Sequence, residues 1–337
     1  MRTEAGAARV ASRIPPFEPH PLLRNPHWQT LAGRYFPGRG GALPSVYHEV
    51  RMPDGDRLTL LDARPVGWRP GCPVVLFVHG LGGCARASYV TRVAARLHEA
   101  GARTVRMNLR GAGAGFGLAR GIYHSGRTED ARAVADWAMA RSPGSPLGLV
   151  GFSLGANLVL KLAAEAVESP LPGLDCVVAA NPPLDLSACC RLIREPKNRI
   201  YDGNFVAGLK RQIARLHRTF PELGTPQLDD VRTLYDFDDR YTAPRNGFHG
   251  AEDYYAKSSA GPLVGRISVA GLVVHAADDP FIPVETVRDA RFPEQVCVRI
   301  ETHGGHLGFL SKEPCEGGHR WLDACITRWL CARWRLG

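Results

Sequence analysis

The chain has 337 residues, of which 45% are hydrophobic and 22% charged, with a formal net charge of +9. That composition is that of an ordinary soluble globular protein, long enough to bury one large core and to carry an insertion. No apolar run approaches the roughly 20 residues of a membrane-spanning helix, residues 1–10 lack the apolar stretch of a secretory signal, and a cytoplasmic protein is expected.

Residues 1–44 are rich in Pro, Gly and Arg and read as a segment wrapping the surface. Residues 45–51 and 57–63 flank Pro53-Asp54-Gly55-Asp56, a hairpin turn between two strands. Apolar strand-like runs follow at 73–78, 103–108, 147–152, 176–180, 272–276 and 296–300, with helical stretches such as 89–100 and 128–140 between them. Nearly continuous apolar runs suit strands covered on both faces. Strand alternating with helix predicts an α/β protein with a doubly wound, mostly parallel sheet. Residues 186–266 break the alternation with helical, Arg-rich and aromatic sequence. They are expected to form a helical cap inserted between the two parts of the core, 45–185 and 267–337.

Gly151-Phe152-Ser153-Leu154-Gly155 follows one strand and opens one helix. Such a G-x-S-x-G turn lifts a serine hydroxyl above a sheet edge, and the helix N-terminus favours developing negative charge there. Serine is a poor nucleophile without a base. In this architecture the acid and then the histidine follow in the chain. Asp278 and Asp279 compete for the acid after the 272–276 strand; Asp279, four residues before Pro283, is preferred, and Asp278 is read as a turn residue. His303 and His306 compete for the base after the last strand. His306 is preferred because Gly304-Gly305 gives a flexible loop to present it and an apolar helix start follows. Backbone donors for an oxyanion are expected from Leu154 and, on the loop His79-Gly80-Leu81-Gly82-Gly83, from Leu81, with His79 pinning that loop. In the cap, Phe205, Phe237, Tyr241 and Phe248 are expected to line or gate an acyl pocket, the alternative being that they fill the cap's own small core.

Gly111-Ala-Gly-Ala-Gly-Phe-Gly117 does not fit G-x-G-x-x-G in any frame and reads as a flexible loop near the active edge. The nine cysteines are irregularly spaced without C-x-x-C, and the twelve histidines lack H-E-x-x-H. Free thiols, no metal and no cofactor are expected. The basic side chains, nearly all Arg, are scattered, and no nucleic-acid motif accompanies them. A solvated basic surface is preferred, with peripheral membrane contact and oligomeric state left open.

Several stretches together resemble the YheT-like branch of the α/β-hydrolases, whose eukaryotic members are abhydrolase-domain lipid hydrolases. They are Arg24-Asn-Pro-His-Trp-Gln-Thr30, Pro53–Asp56, His79–Gly83, Asn108-Leu-Arg-Gly111, Ile122-Tyr-His-Ser-Gly126 with Thr128-Glu-Asp130, Gly151–Asn157, Asn181-Pro-Pro-Leu-Asp185, Ala277-Asp-Asp-Pro280 and His303–Phe309. They span roughly residues 20 to 310. The resemblance implies an eight-stranded hydrolase fold and a triad of Ser153, Asp279 and His306. It also implies hydrolysis of carboxylic esters such as medium-chain acyl esters, glycerides or phospholipids. Acyl transfer to an acceptor other than water, and a binding module that keeps a disused triad, are the other readings. Serine at the elbow disfavours dehalogenase and epoxide-hydrolase chemistry.

Overall fold

The computed structural model describes residues 14, 16–36, 38, 43–316 and 318–337, so the remaining parts of the 1–44 segment lie outside the described residues. The described N-terminal stretch is more than a wrap. Asn25 caps a helix by accepting from the amides of His27 and Trp28, and Pro26 occupies its first position, where a missing N–H costs nothing. This helix, α1 (Pro26–Tyr35), buries Gln29, Thr30 and Ala32.

Short, nearly continuous apolar runs then build the centre of the sheet. In chain order come β1 (Val46–Arg51), β2 (Arg57–Ala63), β3 (Val74–Val78), α2 (Ser88–Glu99), β4 (Arg103–Asn108), α3 (Thr128–Met139), β5 (Leu147–Phe152), α4 (Leu154–Glu165) and β6 (Leu174–Ala180). The next stretch is helical: α5 (Leu186–Ile193), α6 (Arg199–Thr219), α7 (Leu234–Phe237), a π turn over Asp238–Thr242, α8 (Ala243–Arg245) and α9 (Ala251–Ser258). Then follow β7 (Ala270–Ala276), α10 (Glu285–Arg288), β8 (Val296–Glu301), β9 (Leu310–Cys315), β10 (Gly318–Arg320) and α11 (Trp321–Trp334).

Eight strands form one sheet in the order β1-β2-β4-β3-β5-β6-β7-β8. β1 and β2 pair antiparallel, β2 pairs antiparallel with β4, and every pairing from β4 to β8 is parallel. Side chains two apart share a face. Val75, Phe77, Val150 and Phe152 pack with residues of α2 and α11, while Leu76, Val78, Leu149 and Val177 pack with residues of α3 and α4. Parallel strands send all their carboxyl ends to one edge, the edge at which open α/β sheets bind ligands.

The sequence expectation fails after His306. The chain there does not begin a helix; it forms the β9–β10 hairpin, with Leu307 at φ 60° and Phe309 at φ 40° in between. A bulky residue in the left-handed region is strained. Phe309 is held by complete burial against Phe17 and Trp321, with ring centroids 5.5 and 5.7 Å apart between Phe17–Phe309 and Phe309–Trp321.

Candidate active site

The carboxyl ends of β3, β5, β6, β7 and β8 carry His79–Gly83, Ser153, Asn181, Asp278–Asp279 and His303–His306, respectively, all at one edge.

Ser153 is at φ 53° and ψ −124°, off the favoured regions for a residue with a side chain. The glycines around it are imposed by contact. A Cβ on Gly151 would lie 2.2 Å from the Gly155 carbonyl oxygen, and one on Gly155 would lie 2.3 Å from that of Val78. The turn is tied to the sheet because the Ser153 amide donates to the Ala180 carbonyl at 2.9 Å. Ser153 is also the N-cap of α4, and its hydroxyl stays outside the helix.

That hydroxyl is 2.9 Å from Nε2 of His306, whose Nδ1 is 2.8 Å from Oδ2 of Asp279. The side chain of Asp279 is fully buried and saturated with donors. Asn181 Nδ2 donates to Oδ2 at 2.5 Å, and the amides of Phe281 and Ile282 donate to Oδ1 at 2.8 and 3.2 Å. Burial works against its charge, but the His306 ring, His275 and the Phe281 amide outweigh it and hold the carboxyl below its ordinary value. Asp278 has a different neighbourhood. It accepts from the Gly305 amide at 2.9 Å and lies 3.3 Å from His303 Nδ1, and burial pushes its carboxyl up. Of the two candidate pairs, the structure brings Asp279 and His306 to Ser153, and it sets Asp278 and His303 beside them as a second pair.

The loop bearing His306 is not free. A Cβ on Gly304 would fall 2.6 Å from the Phe309 ring, and one on Gly305 would fall 2.4 Å from the carbonyl oxygen of Pro26. Gly304 permits close packing against Phe309 and Gly305 against α1, which corrects the reading of a flexible loop. Thr30 Oγ1 accepts the His306 amide at 2.9 Å and donates to the Pro26 carbonyl at 2.8 Å. Gln29 brackets the far side of the loop, donating to the Leu310 carbonyl at 3.0 Å and accepting its amide at 2.8 Å. Sequence reasoning gave Gln29, Thr30 and Asn181 no role. They stand inside stretches quoted for the resemblance, and Asn25-Pro26 is a helix-start signal.

On the β3 loop, the amides flanking Leu81 are occupied: Gly80 donates to the Tyr89 hydroxyl at 3.1 Å and Gly82 to that of Tyr123 at 3.0 Å. Gly80 rests on Ser153, since a Cβ there would be 3.0 Å from that of Ser153. His79 is completely buried; burial pushes its ring down to about 4, against the pull of the Gly80 carbonyl. The neutral ring accepts the Leu109 amide on Nε2 at 3.1 Å and lies 2.8 Å from the Gly80 carbonyl through Nδ1, which assigns the proton to Nδ1. Leu154 opens α4 directly after Ser153.

The four aromatics of the 186–266 stretch are separated. Phe205 packs edge-on against Phe281 at 5.7 Å, and Phe281 lies 4.8 Å from the His306 ring. Tyr201 joins the same stack, 4.7 Å from Phe281. Phe237 and Tyr241 instead pack together at 5.5 Å among Ile213, Leu216 and Val231. Phe248 packs against Tyr254 at 5.4 Å and His124 at 5.4 Å.

The family model for the alpha/beta hydrolase fold matches residues 73–313, so the chain belongs to the α/β-hydrolases. Within them it falls in the branch of YheT from Escherichia coli K12, whose name assigns it provisionally to the esterases. The two are 31% identical over 93% of this chain and 92% of that protein. Monoacylglycerol lipase of Saccharomyces cerevisiae is 26% identical over 82% of this chain and 61% of its own length. Among solved structures, the Pyrococcus furiosus esterase Pf2001 superposes with a TM-score of 0.57 at 16% identity, covering 88% of this chain and 94% of that one, a likeness of fold.

Proposed function

We propose that the protein hydrolyses carboxylic esters through an acyl-Ser153 intermediate, with His306 as general base and acid and Asp279 as its orienting carboxylate. The protein is an ester hydrolase by class, in keeping with relatives named as an esterase and a lipase. The observation that carries the residue assignment is the continuous chain of contacts from Ser153 Oγ through both ring nitrogens of His306 to Asp279, at 2.9 and 2.8 Å.

In this reading Ser153 Oγ attacks the ester carbonyl while its proton passes to His306 Nε2. The oxyanion forms against the amides of Leu81 and Leu154. His306 then gives the proton to the departing alkoxide, and the alcohol leaves. Water, deprotonated by the same nitrogen, attacks the acyl-serine; the ester bond to Ser153 breaks and the carboxylic acid is released. Asp279 keeps the proton of neutral His306 on Nδ1 and offsets the charge of its doubly protonated form.

Substrates are acyl esters of short to medium chain or glycerides. The acyl chain runs along the Tyr201–Phe281–Phe205 stack that begins at His306, and residues 186–266 act as a cap over the site. Phe205→Ala then shifts preference toward longer acyl groups at roughly 0.8 kcal/mol per added buried methylene. Phe237→Ala costs stability without changing the chain-length profile. A series of p-nitrophenyl esters reads both, and an unaltered profile in folded Phe205→Ala protein would remove this wall from the pocket.

The decisive experiment is reaction with a fluorophosphonate probe alongside steady-state kinetics. Wild type labels at Ser153. Ser153→Ala does not label and loses roughly 10⁴-fold or more in kcat. Substantial turnover by pure Ser153→Ala protein would overturn the assignment.

A further inference from the structure

The glycine-rich stretch after β4 finds a use that the ester chemistry alone does not give it. Gly111 and Gly113 wall a cavity of about 320 Å³ whose other sides are Gly82 and Tyr123, and then Arg211 and Arg215 of α6. The cavity is built, and the loop is not loose. Buried Arg110, just before it, donates to both oxygens of Asp130 at 2.6 and 3.0 Å and to Asp56 at 2.6 Å. Asp56 in turn accepts the amides of Arg120 and Gly121 at 2.8 and 3.0 Å, closing the far end of the loop. Gly113, at φ +53°, could not carry a side chain there, because its Cβ would fall 2.4 Å from Asn108 Oδ1.

The lining is polar in one sense only. It contains two guanidinium groups and the Gln212 amide, and no carboxylate. Among the described residues neither Arg211 nor Arg215 has an acidic partner at ion-pair distance, unlike Arg103 and Arg110. Arg215 lies over the Phe116 ring, 3.6 Å from its centroid. Stacking fixes the plane of the guanidinium and leaves its N–H edge for a planar or tetrahedral oxyanion. Tyr123 accepts the Gly82 amide, so its own O–H remains a donor, and burial keeps it protonated by raising its pKa. Asp238 acts on Tyr123 from a distance, but its carboxyl is turned onto the Tyr255 hydroxyl, and burial pushes it up to about 6.

The cavity starts on the strand-end loop that touches the nucleophile. Gly80 rests on Ser153, and Gly82, two Cα steps of roughly 3.8 Å further on, is cavity wall. We propose that the cavity is a substrate subsite for an anionic oxygen group, phosphate or carboxylate, carried by the ester that Ser153 cleaves. The preferred substrates are therefore acyl esters bearing an acidic group on the alcohol side. This rests on the esterase reading and specifies its substrate class.

The test uses the full chain and a matched pair, 1-hexanoylglycerol and 1-hexanoylglycerol 3-phosphate, below their aggregation limits. Wild type prefers the phosphate ester by about tenfold in kcat/KM, as expected for two exposed charge-assisted contacts. That preference shrinks as salt rises from 0.05 to 0.5 M. The Arg211→Gln, Arg215→Gln double variant, altered only at exposed side chains, loses the preference and hydrolyses the neutral ester within about twofold of wild type. Equal, measurable kcat/KM on the two esters in wild type, or a preference that survives in the double variant, overturns the proposal. Calorimetric titration of Ser153→Ala protein with the phosphate ester reads binding without turnover. Tight binding that depends on both arginines upholds the subsite even if hydrolysis is absent; indistinguishable binding of the neutral and phosphate esters overturns it. Inorganic phosphate separates the sources. If it binds at the arginines as tightly as the ester does, the cavity is a free-anion site and the substrate assignment falls.

Discussion

Ser153 and His306 meet at hydrogen-bond distance but are built in different ways. The serine turn is local: one strand, one helix and two glycines within five residues, with the Ser153 amide bonded to the next strand. The histidine loop is assembled from afar. Thr30 and Gln29, more than 270 positions earlier, fix its backbone, while Asp279 and Asn181 fix its ring and acid. Ser153 is thus presented by secondary structure, and His306 by tertiary packing. The serine turn should tolerate changes elsewhere in the molecule; the placement of His306 should be sensitive to α1, which bonds its backbone and not its ring.

The largest effects separate the two aspartates at the long-range end. Asp279→Asn lowers kcat by roughly 10³- to 10⁴-fold, because an amide favours the wrong histidine tautomer. Asp278→Asn lowers it by less than about tenfold, since an asparagine oxygen still accepts the Gly305 amide. Steady-state kinetics on one p-nitrophenyl ester decides, and reversed magnitudes would make Asp278 the functional acid. Fluorophosphonate labelling of Ser153 should slow in parallel with turnover.

This contrast also explains what the sequence disclosed. All eight strands of the sheet, the β1–β2 turn and the serine elbow were legible, because each is written in consecutive residues by hydrophobic period or turn chemistry. The acid and the base were narrowed to two candidates apiece by chain order. The contacts that set Asp279 apart come from Asn181 and the Phe281 and Ile282 amides, and one sequence displays no pairing between positions 98 apart. The β9–β10 hairpin was missed for a related reason: Phe309 adopts a positive φ only because burial against Phe17 and Trp321 compensates, which local propensity cannot show. Composition does not distinguish Phe205, edge-on to the Phe281 ring beside His306, from Phe237, buried among aliphatic neighbours, so the aromatics of 186–266 form one set in the sequence.

A smaller effect tests whether α1 sets the position of His306. Gly305→Ala places a methyl 2.4 Å from the Pro26 carbonyl oxygen, at φ +57°. Strain and overpacking each cost roughly 1–3 kcal/mol, and a displacement of the imidazole by about 1 Å lowers kcat by roughly 10²-fold. Gly144→Ala is the control. Its φ is +72° with nothing within 4 Å, in the loop before β5, at the opposite end of that strand from Ser153. It carries the backbone penalty of roughly 1–2 kcal/mol and leaves turnover unchanged. Thermal melts and kinetics on both variants are required. Normal kcat in a folded Gly305→Ala protein would mean that the loop relaxes and that α1 does not hold the base in register.

The smallest effect is a difference in sign between the neighbouring aspartates at acid pH. Asp279 has a folded pKa below its ordinary 3.8, so in the window between the two values the unfolded chain binds more protons than the folded one. Its contribution is present above 3.8 and is lost as pH falls through the lower folded value. Asp278 has a folded pKa above 3.8, so its contribution is greatest below that value and is lost as pH rises through the raised one. Urea unfolding from pH 3 to pH 7 on wild type, Asp279→Asn and Asp278→Asn reads this directly. The stability advantage of wild type over Asp279→Asn shrinks as pH falls below 3.8, whereas its standing relative to Asp278→Asn worsens as pH rises above it. Parallel slopes for the two variants would mean that burial, rather than the different partners of the two carboxyls, governs both. That would remove the electrostatic distinction between the acid beside His306 and the one that only anchors its loop.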